Sequence, residues 1–289
     1  MPKGHIIKSL AGFYDVACED GTIYTTRARG KFRKDRFKPL VGDVCEFTLD
    51  ANNEGYIRRI MPRRNVLTRP PIANVDQALL VFSITRPDFD SLLLDRFLAQ
   101  VESQGIHPVI AVTKVDLDDS LADEILKTYK DYDVILVSSP NGCGVEDVKA
   151  RLKDKVTVVT GQSGVGKSTL LNALDIRLDI PTNDISEALG RGKHTTRHVE
   201  LLAMHGGFVA DTPGFSSLEL EMTPTELSHA WHDFEELSAS CKYRNCLHDK
   251  EPGCAVKQAV EGGGIAQSRY THYISFLKET REQEEKKYG

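Results

Sequence analysis

Gly161-Gln162-Ser163-Gly164-Val165-Gly166-Lys167-Ser168, followed by Thr169, is the stretch on which the fold of this 289-residue chain turns. It follows the apolar run Val156-Thr157-Val158-Val159-Thr160 and opens the helical pattern of residues 168–174. A strand, a turn of the form G-x-x-x-x-G-K-[ST] and a helix, in that order, make a phosphate-binding loop. Glycines let backbone N–H groups turn inward around phosphate oxygens. The new helix points its positive end at them. Lys167 is expected to reach the β- and γ-phosphates, Ser168 to offer its hydroxyl to Mg²⁺, and Thr169 to complete the nucleotide-binding run.

Forward along the chain, Phe208-Val209-Ala210 leads into Asp211-Thr212-Pro213-Gly214. An acid at a strand end opposite a phosphate loop holds the Mg²⁺ shell, so Asp211 is assigned there. Gly214 carries no side chain to keep its N–H from a γ-phosphate. Between the two motifs lies Gly190-Arg191-Gly192-Lys193-His194-Thr195-Thr196-Arg197. A threonine here completes Mg²⁺ coordination while a γ-phosphate is present and lets go after hydrolysis. Thr196 is preferred, and spacing leaves Thr195 open.

Backward from the loop, Thr113-Lys114-Val115-Asp116 ends the apolar run Pro108-Val109-Ile110-Ala111-Val112. It resembles the Asn-Lys-x-Asp guanine motif of GTPases. Asp116 would accept both N–H groups of the guanine edge, and Lys114 would lie along the base. Thr113 departs from asparagine and weakens one supporting hydrogen bond. Ser138 and Ser139, at the end of the next strand, resemble the loop that touches the guanine carbonyl. These motifs precede the phosphate loop, whereas in an ordinary GTPase they follow it. The order is that of a circularly permuted GTPase sheet.

The flanking pattern fits. From residue 74, apolar strands alternate with helical stretches (78–84, 92–102, 108–112, 121–132, 134–137, 145–152, 156–160), which indicates a mostly parallel sheet covered on both faces. Ahead of it, short alternating segments separated by turn signals suggest a small β-barrel of OB type over residues 1–69, ending at Arg69-Pro70-Pro71. The central domain is expected over 70–220 and a helical zinc-binding domain over 221–289. Thr223, three residues before Glu226, reads as a helix cap.

Charge is uneven. The chain carries 37 Lys+Arg and 42 Asp+Glu, yet residues 1–69 hold 14 basic and 8 acidic side chains. Such asymmetry suggests a polyanion partner for the first domain. The stretch Arg27-Ala28-Arg29-Gly30-Lys31-Phe32-Arg33-Lys34-Asp35-Arg36-Phe37-Lys38 combines cations for phosphates with aromatic faces for unpaired bases. No run approaches the roughly 20 apolar residues of a membrane span. No apolar leader opens the sequence, so a cytosolic location is expected. Composition, at 40% hydrophobic and 27% charged, excludes disorder over the whole length.

Cys241-x4-Cys246-x-His248-x5-Cys254 offers three thiolates and one imidazole within fourteen residues. Four N/S ligands suit a closed structural Zn²⁺ site rather than disulfides.

Taken together, the barrel, the lead-in Ile72-Ala73-Asn74-Val75-Asp76-Gln77, TKVD ahead of GQSGVGKST, the HTT segment, DTPG and the Cys/His cluster resemble the ribosome small-subunit-dependent GTPase A (RsgA) family over nearly the whole chain. The resemblance implies a cytoplasmic, permuted GTPase that takes GTP and GDP with Mg²⁺ and one structural Zn²⁺; the sequence leaves the oligomeric state open, with monomer the default. It further implies action late in small (30S) ribosomal subunit assembly, slow hydrolysis stimulated by the subunit, and rRNA contacts from barrel and zinc domain. Phe215 follows DTPG, where many GTPases carry a water-positioning glutamine. The family's switch makes His194 the catalytic candidate, beside Lys167 and Thr196.

Overall fold

The computed structural model describes residues 1–28, 38–51, 54–68, 70–176, 178, 199–211 and 220–288. Residues 29–37, His194, Thr195, Thr196, Gly214 and Phe215 lie outside them, as does the side chain of Asp211. The chain divides into two compact units, Met1–Leu79 with Val145–Ser216, and Leu80–Gly144 with Ser217–Gly289.

In the first unit, alternating residues of five strands turn inward to make one small core of Ile6, Tyr14, Val16, Cys45, Phe47 and Ile57. The strands are β1 (Lys3–Leu10), β2 (Phe13–Cys18), β3 (Ile23–Ala28), β4 (Val44–Leu49) and β5 (Gly55–Ile60), closed in the order β1-β2-β3-β5-β4. Closure needs close backbone approach, and a Cβ at Gly4 would meet the Ala17 carbonyl oxygen at 2.5 Å. Bulges put an extra residue in β1 at Ile7 and in β5 at Arg58, opposite Glu46 and Phe47, which bends the sheet onto itself. Buried Asp43 is gripped by Arg63 through Nε at 2.7 Å and Nη2 at 2.8 Å, which ties β4 to the chain leaving the barrel.

That exit passes through a two-stranded ribbon, β6 (Val66–Leu67) and β7 (Ile72–Ala73), around Pro70-Pro71. The lead-in residues then lock the barrel to the sheet. Asn74 donates through Nδ2 to the Gly42 carbonyl at 3.0 Å. Asp76 accepts the Val156 N–H at 2.8 Å. Gln77, 1% exposed, donates to the Arg151 carbonyl and the Thr157 hydroxyl. These polar residues belong to one joint, which explains their place in an otherwise apolar run.

Strand β8 (Gln77–Ser83) is buried throughout; it starts in the first unit and ends in the second. In the first unit the order from its start is β8-β11-β13-β12, with β11 (Val156–Thr160), β12 (Leu201–Met204) and β13 (Gly207–Asp211). Strand β11 runs parallel to β13, and β12 returns antiparallel to it. The sheet is therefore mixed rather than wholly parallel. Its extra strand follows from the two-residue turn His205-Gly206, both at positive φ (50° and 80°). Helices α3 (Val145–Leu152) and α4 (Lys167–Leu174) also belong here.

In the second unit the order is β10-β9-β8, with β9 (His107–Thr113) parallel to β10 (Asp133–Val137). Helix α1 (Ser91–Glu102) starts where Asp90 accepts the Leu93 N–H at 2.9 Å, and α2 is the shorter Ala122–Thr128. The expected helix over 121–132 stops early because Tyr129 leaves helical geometry at φ −110° and ψ 33°. Helices α5 (Pro224–Ser228), α6 (His232–Ser238), α7 (Ala255–Glu261) and α8 (Gln267–Tyr288) complete the unit. Thr223 and Glu226 form the anticipated reciprocal capping box.

Candidate functional site

Gly161, Gly164 and Gly166 take φ values of 148°, 79° and 94°, a region that side chains disfavour. They are the three glycines of the phosphate-loop motif. Gly166 caps α4 without a side-chain hydrogen bond, so the N–H groups of its first turn are not taken by a capping side chain. Val165, 1% exposed, anchors the loop in the core, and Leu170, Leu171 and Leu174 bury the helix behind it. Lys167 Nζ donates to the carbonyls of Gly161 at 2.8 Å and Gln162 at 2.5 Å, clasping both ends of the loop. Ser168 is buried at the start of α4. Backbone donors, a helix start and an ammonium group in eight residues suit a polyphosphate.

Thr113-Lys114-Val115-Asp116 and Ser138-Ser139 sit in the second unit at the ends of β9 and β10. Thr113 is buried and its hydroxyl donates to the Phe82 carbonyl at 3.2 Å. It therefore fastens β9 to β8. Lys114 has a left-handed backbone (φ 64°), and its Nζ donates to the Arg86 carbonyl. Burial pushes the Lys114 ammonium below its usual range, and Arg86 adds to this. The Val115 N–H points to the Val137 carbonyl at 3.4 Å, which holds the two strand ends together. Asp116 is exposed and free to meet a ligand edge. Ser138 is fully buried, pairs through its backbone with Cys143 at 3.0 Å, and its Oγ has no hydrogen-bond partner among the described residues. Gly144 (φ 70°) must be glycine, since a Cβ would strike the Leu136 carbonyl oxygen at 2.1 Å.

The cysteine cluster assembles as its spacing suggests. One ligand atom from each of Cys241, Cys246, His248 and Cys254 lies within 4.8 Å of all the others. His248 Nδ1 is 3.4 Å from Cys254 Sγ and 3.7 Å from Cys241 Sγ. Its Nε2 faces the Ser228 carbonyl at 3.3 Å, which makes Nε2 the protonated nitrogen and leaves the Nδ1 lone pair toward the sulfurs. Burial pushes the Cys246 thiol up to about 12 and raises Cys254 as well. A divalent cation reverses that preference by stabilising thiolates. Three sulfurs and one imidazole nitrogen around one point fit Zn²⁺. The carbonyls of Leu247 and His248 are held by Tyr273 and Tyr270 hydroxyls at 2.7 and 2.8 Å, so α8 braces the ligand loop.

One cluster has no counterpart in the motifs. Arg269, 2% exposed, donates Nε to Asp95 at 3.1 Å, Nη1 to Asp233, and Nη2 to the Tyr132 hydroxyl at 2.9 Å. Its guanidinium lies 4.7 Å from the Trp231 ring and 4.9 Å from Tyr132. Asp95, fully buried, also takes His272 Nδ1 at 2.6 Å. The network joins α1, α6 and α8. One signal for it was available: an aspartate in the middle of the apolar face Leu93, Leu94, Phe97, Leu98.

Comparison with known proteins agrees with these features. The RsgA GTPase family matches residues 60–221, and the RsgA N-terminal domain matches residues 3–57. A protein of Halalkalibacterium halodurans named small ribosomal subunit biogenesis GTPase RsgA is 50% identical over 100% of both chains. Its namesake in Bacillus subtilis is 50% identical over 98% of each. Among solved structures, YloQ, described as a circularly permuted GTPase, shares 46% identity at TM-score 0.83, covering 98% of this chain and 96% of its own. YjeQ from Thermotoga maritima shares 36% identity at TM-score 0.85, covering 96% of this chain and 98% of its own. With both family matches and relatives aligned from end to end, the chain belongs to the RsgA family of circularly permuted GTPases.

Proposed function

We propose that this chain is a GTPase of small ribosomal subunit maturation, hydrolysing GTP to GDP and phosphate with stimulation by the 30S subunit. The observation that carries the proposal is the phosphate loop, with three left-handed glycines leading into a helix that begins at Lys167. Gly161 to Thr169 take the phosphates. Thr113, Lys114, Val115, Asp116, Ser138 and Ser139 hold the guanine, and the Asp116 carboxylate gives specificity over adenine. In this reading Ser168, Thr196 and Asp211 hold Mg²⁺, and Gly214 meets the γ-phosphate. Bound Mg²⁺ neutralises charge on the phosphates.

His194 is the residue assigned to orient the attacking water, in place of the glutamine that Phe215 replaces. Lys167 stabilises negative charge as it develops on the transferred phosphate. Cys241, Cys246, His248 and Cys254 hold one structural Zn²⁺. The barrel and the zinc-bearing helices are the rRNA-binding surfaces. The protein works as a cytoplasmic monomer, and among the described residues no helix is long and apolar enough to cross a membrane.

GTP turnover with and without small subunits tests the proposal, with ATP and large subunits as controls. Strong stimulation by the small subunit alone is expected. GTP binding with no stimulation by any subunit would refute the ribosomal reading. Equal use of ATP would refute the guanine assignment. His194→Ala should keep GTP affinity and lose stimulated hydrolysis; unchanged stimulated turnover removes His194 from the mechanism.

A further inference from the structure

The Cys/His cluster leaves one part of its own loop unused. Between its first two ligand residues run Lys242, Tyr243, Arg244 and Asn245, and all four are exposed. Tyr243 is 45% exposed, the most open of the described phenylalanine, tyrosine and tryptophan rings. Lys242 Nζ stands 5.7 Å from its centroid. The loop is held in shape. The Lys242 N–H donates to the Gly253 carbonyl at 3.1 Å, and the Ala255 N–H to Cys241 Sγ at 3.3 Å. Gly253 (φ 70°) closes against Lys242, where an added Cβ would come within 3.2 Å of the lysine's own. The sulfurs of Cys241 and Cys246, at the two ends, belong to the cluster whose ligand atoms lie within 4.8 Å of one another. With both ends turned inward, the four residues between them face solvent.

Charge sets this loop apart from its surroundings. Residues 220–238 carry five Asp or Glu and no Lys or Arg, whereas residues 239–257 carry four Lys or Arg and two acids. Both of those acids are engaged. Asp249 accepts Arg281 Nη1 at 2.9 Å, and the Glu251 carboxylate accepts the N–H groups of Leu247 and Asp249, each at 3.0 Å. Lys242, Arg244 and the exposed Lys250 have no carboxylate partner among the described residues. A basic island therefore stands in an acidic stretch, with its own acids turned to other work.

Unpaired cations, an open ring and a side-chain amide on one braced loop suit a ligand that is anionic and flat. An acidic peptide would pair the cations and leave the ring in water. A nucleic-acid duplex offers phosphates and hides its base faces. A single strand supplies phosphates and π-faces together. We propose that the Cys241–Cys246 loop binds an unpaired stretch of RNA, with one base on Tyr243 and the adjoining phosphates on Lys242 and Arg244. This rests on the reading of the zinc-bearing helices as an rRNA surface, and it adds the residues and the form of the RNA.

The test is fluorescence anisotropy of the full zinc-loaded chain with labelled hexauridylate, and with a blunt RNA duplex beside it. Hexauridylate should bind. Tyr243→Ala should weaken it about tenfold, the loss of one stacked base, and Tyr243→Phe should retain it. Lys242→Gln and Arg244→Gln should each reduce the slope of log affinity against log salt by about 0.7. Each variant should hold zinc as the parent does, since none replaces a ligand. Phe13, 42% exposed with the Arg27 guanidinium 4.6 Å from its ring centroid, supplies the comparison on the barrel. The proposal falls if Tyr243→Ala binds hexauridylate as the parent does, or if Phe13→Ala abolishes the binding instead. Either result moves the strand elsewhere and leaves the rRNA reading standing. It falls equally if only the duplex binds. If neither RNA binds, the rRNA reading of these helices falls with it.

Discussion

The phosphate loop and the Cys/His cluster both gather charge around one point, by opposite means. The loop is made of backbone: eight consecutive residues, three of them glycines at positive φ, shape it. The cluster is made of side chains drawn from fourteen residues and braced by α6, α7 and α8. A backbone site depends on local conformation and should fail locally, losing ligand while the fold persists. A side-chain site that supplies the core of its own segment should fail globally.

Removing the metal gives the sharpest contrast. Structural zinc contributes on the order of 10–16 kcal/mol in small zinc domains, so chelation should unfold α5 to α8. Circular dichroism should show lost helix and metal analysis one zinc per chain. An unchanged spectrum after verified zinc removal would break the distinction. Next comes Arg269→Met, which strands Asp95 and Asp233 in the core. Breaking a buried ion pair from one side costs about 3–5 kcal/mol, measurable by urea unfolding. A change under 1 kcal/mol would show that these helices do not depend on the network.

Lys167→Ala attacks the other site. It removes the loop's ammonium group and should weaken GTP binding by about 2–5 kcal/mol while leaving the melting temperature in place. A large drop in melting temperature would contradict the claim that the loop fails locally. Thr223→Ala removes the capping box of α5 and should cost about 1 kcal/mol. The rescue to look for is Thr223→Ser, which restores the cap.

The smallest expected effect depends on pH. His232 donates Nδ1 to Glu102 at 2.7 Å and Nε2 to the Asp131 carbonyl at 3.1 Å, and two acceptors require both nitrogens to be protonated. The Glu102 hydrogen bond, ahead of the opposing effect of burial, raises the His232 imidazole above its ordinary value of 6.5. The contribution is therefore fully present below 6.5 and lost as pH rises through the raised value. With the side chain 38% exposed, it should be under about 1 kcal/mol. Glu102→Gln should flatten the stability profile across that window; a profile identical to that of the parent would dismiss the clasp.

What was legible in the sequence was what is local. The loop, the base motif, the capping box at Thr223 and the ligand spacing of the cluster each sit within a few residues. Most strands were readable from apolar runs. Arg269 was not, because its partners lie 174 and 36 residues away and nothing in its surroundings marks it. Strand β12 was missed because Leu201-Leu202-Ala203-Met204 is short and its pairing depends on a tight turn beyond it. Thr113 looked like a weakened asparagine, yet its hydroxyl fastens two strand ends, a role visible only once Phe82 is beside it.

The division of the chain has a further consequence. The backbone crosses between the two units three times: within β8, at Gly144–Val145, and at Ser216–Ser217. A single cut between residues 212 and 219 would sever residues 220–289 covalently, because the other two crossings both lie in the longer fragment. The shorter fragment would then be held only by packing within the second unit, such as Arg269 on Asp95 and Trp231 on the Asp95 carbonyl. Yet the direct path from the end of β13 to the capped start of α5 would be gone. One protease site thus asks whether α5 to α8 keep their seat in the second unit without their covalent link to β13.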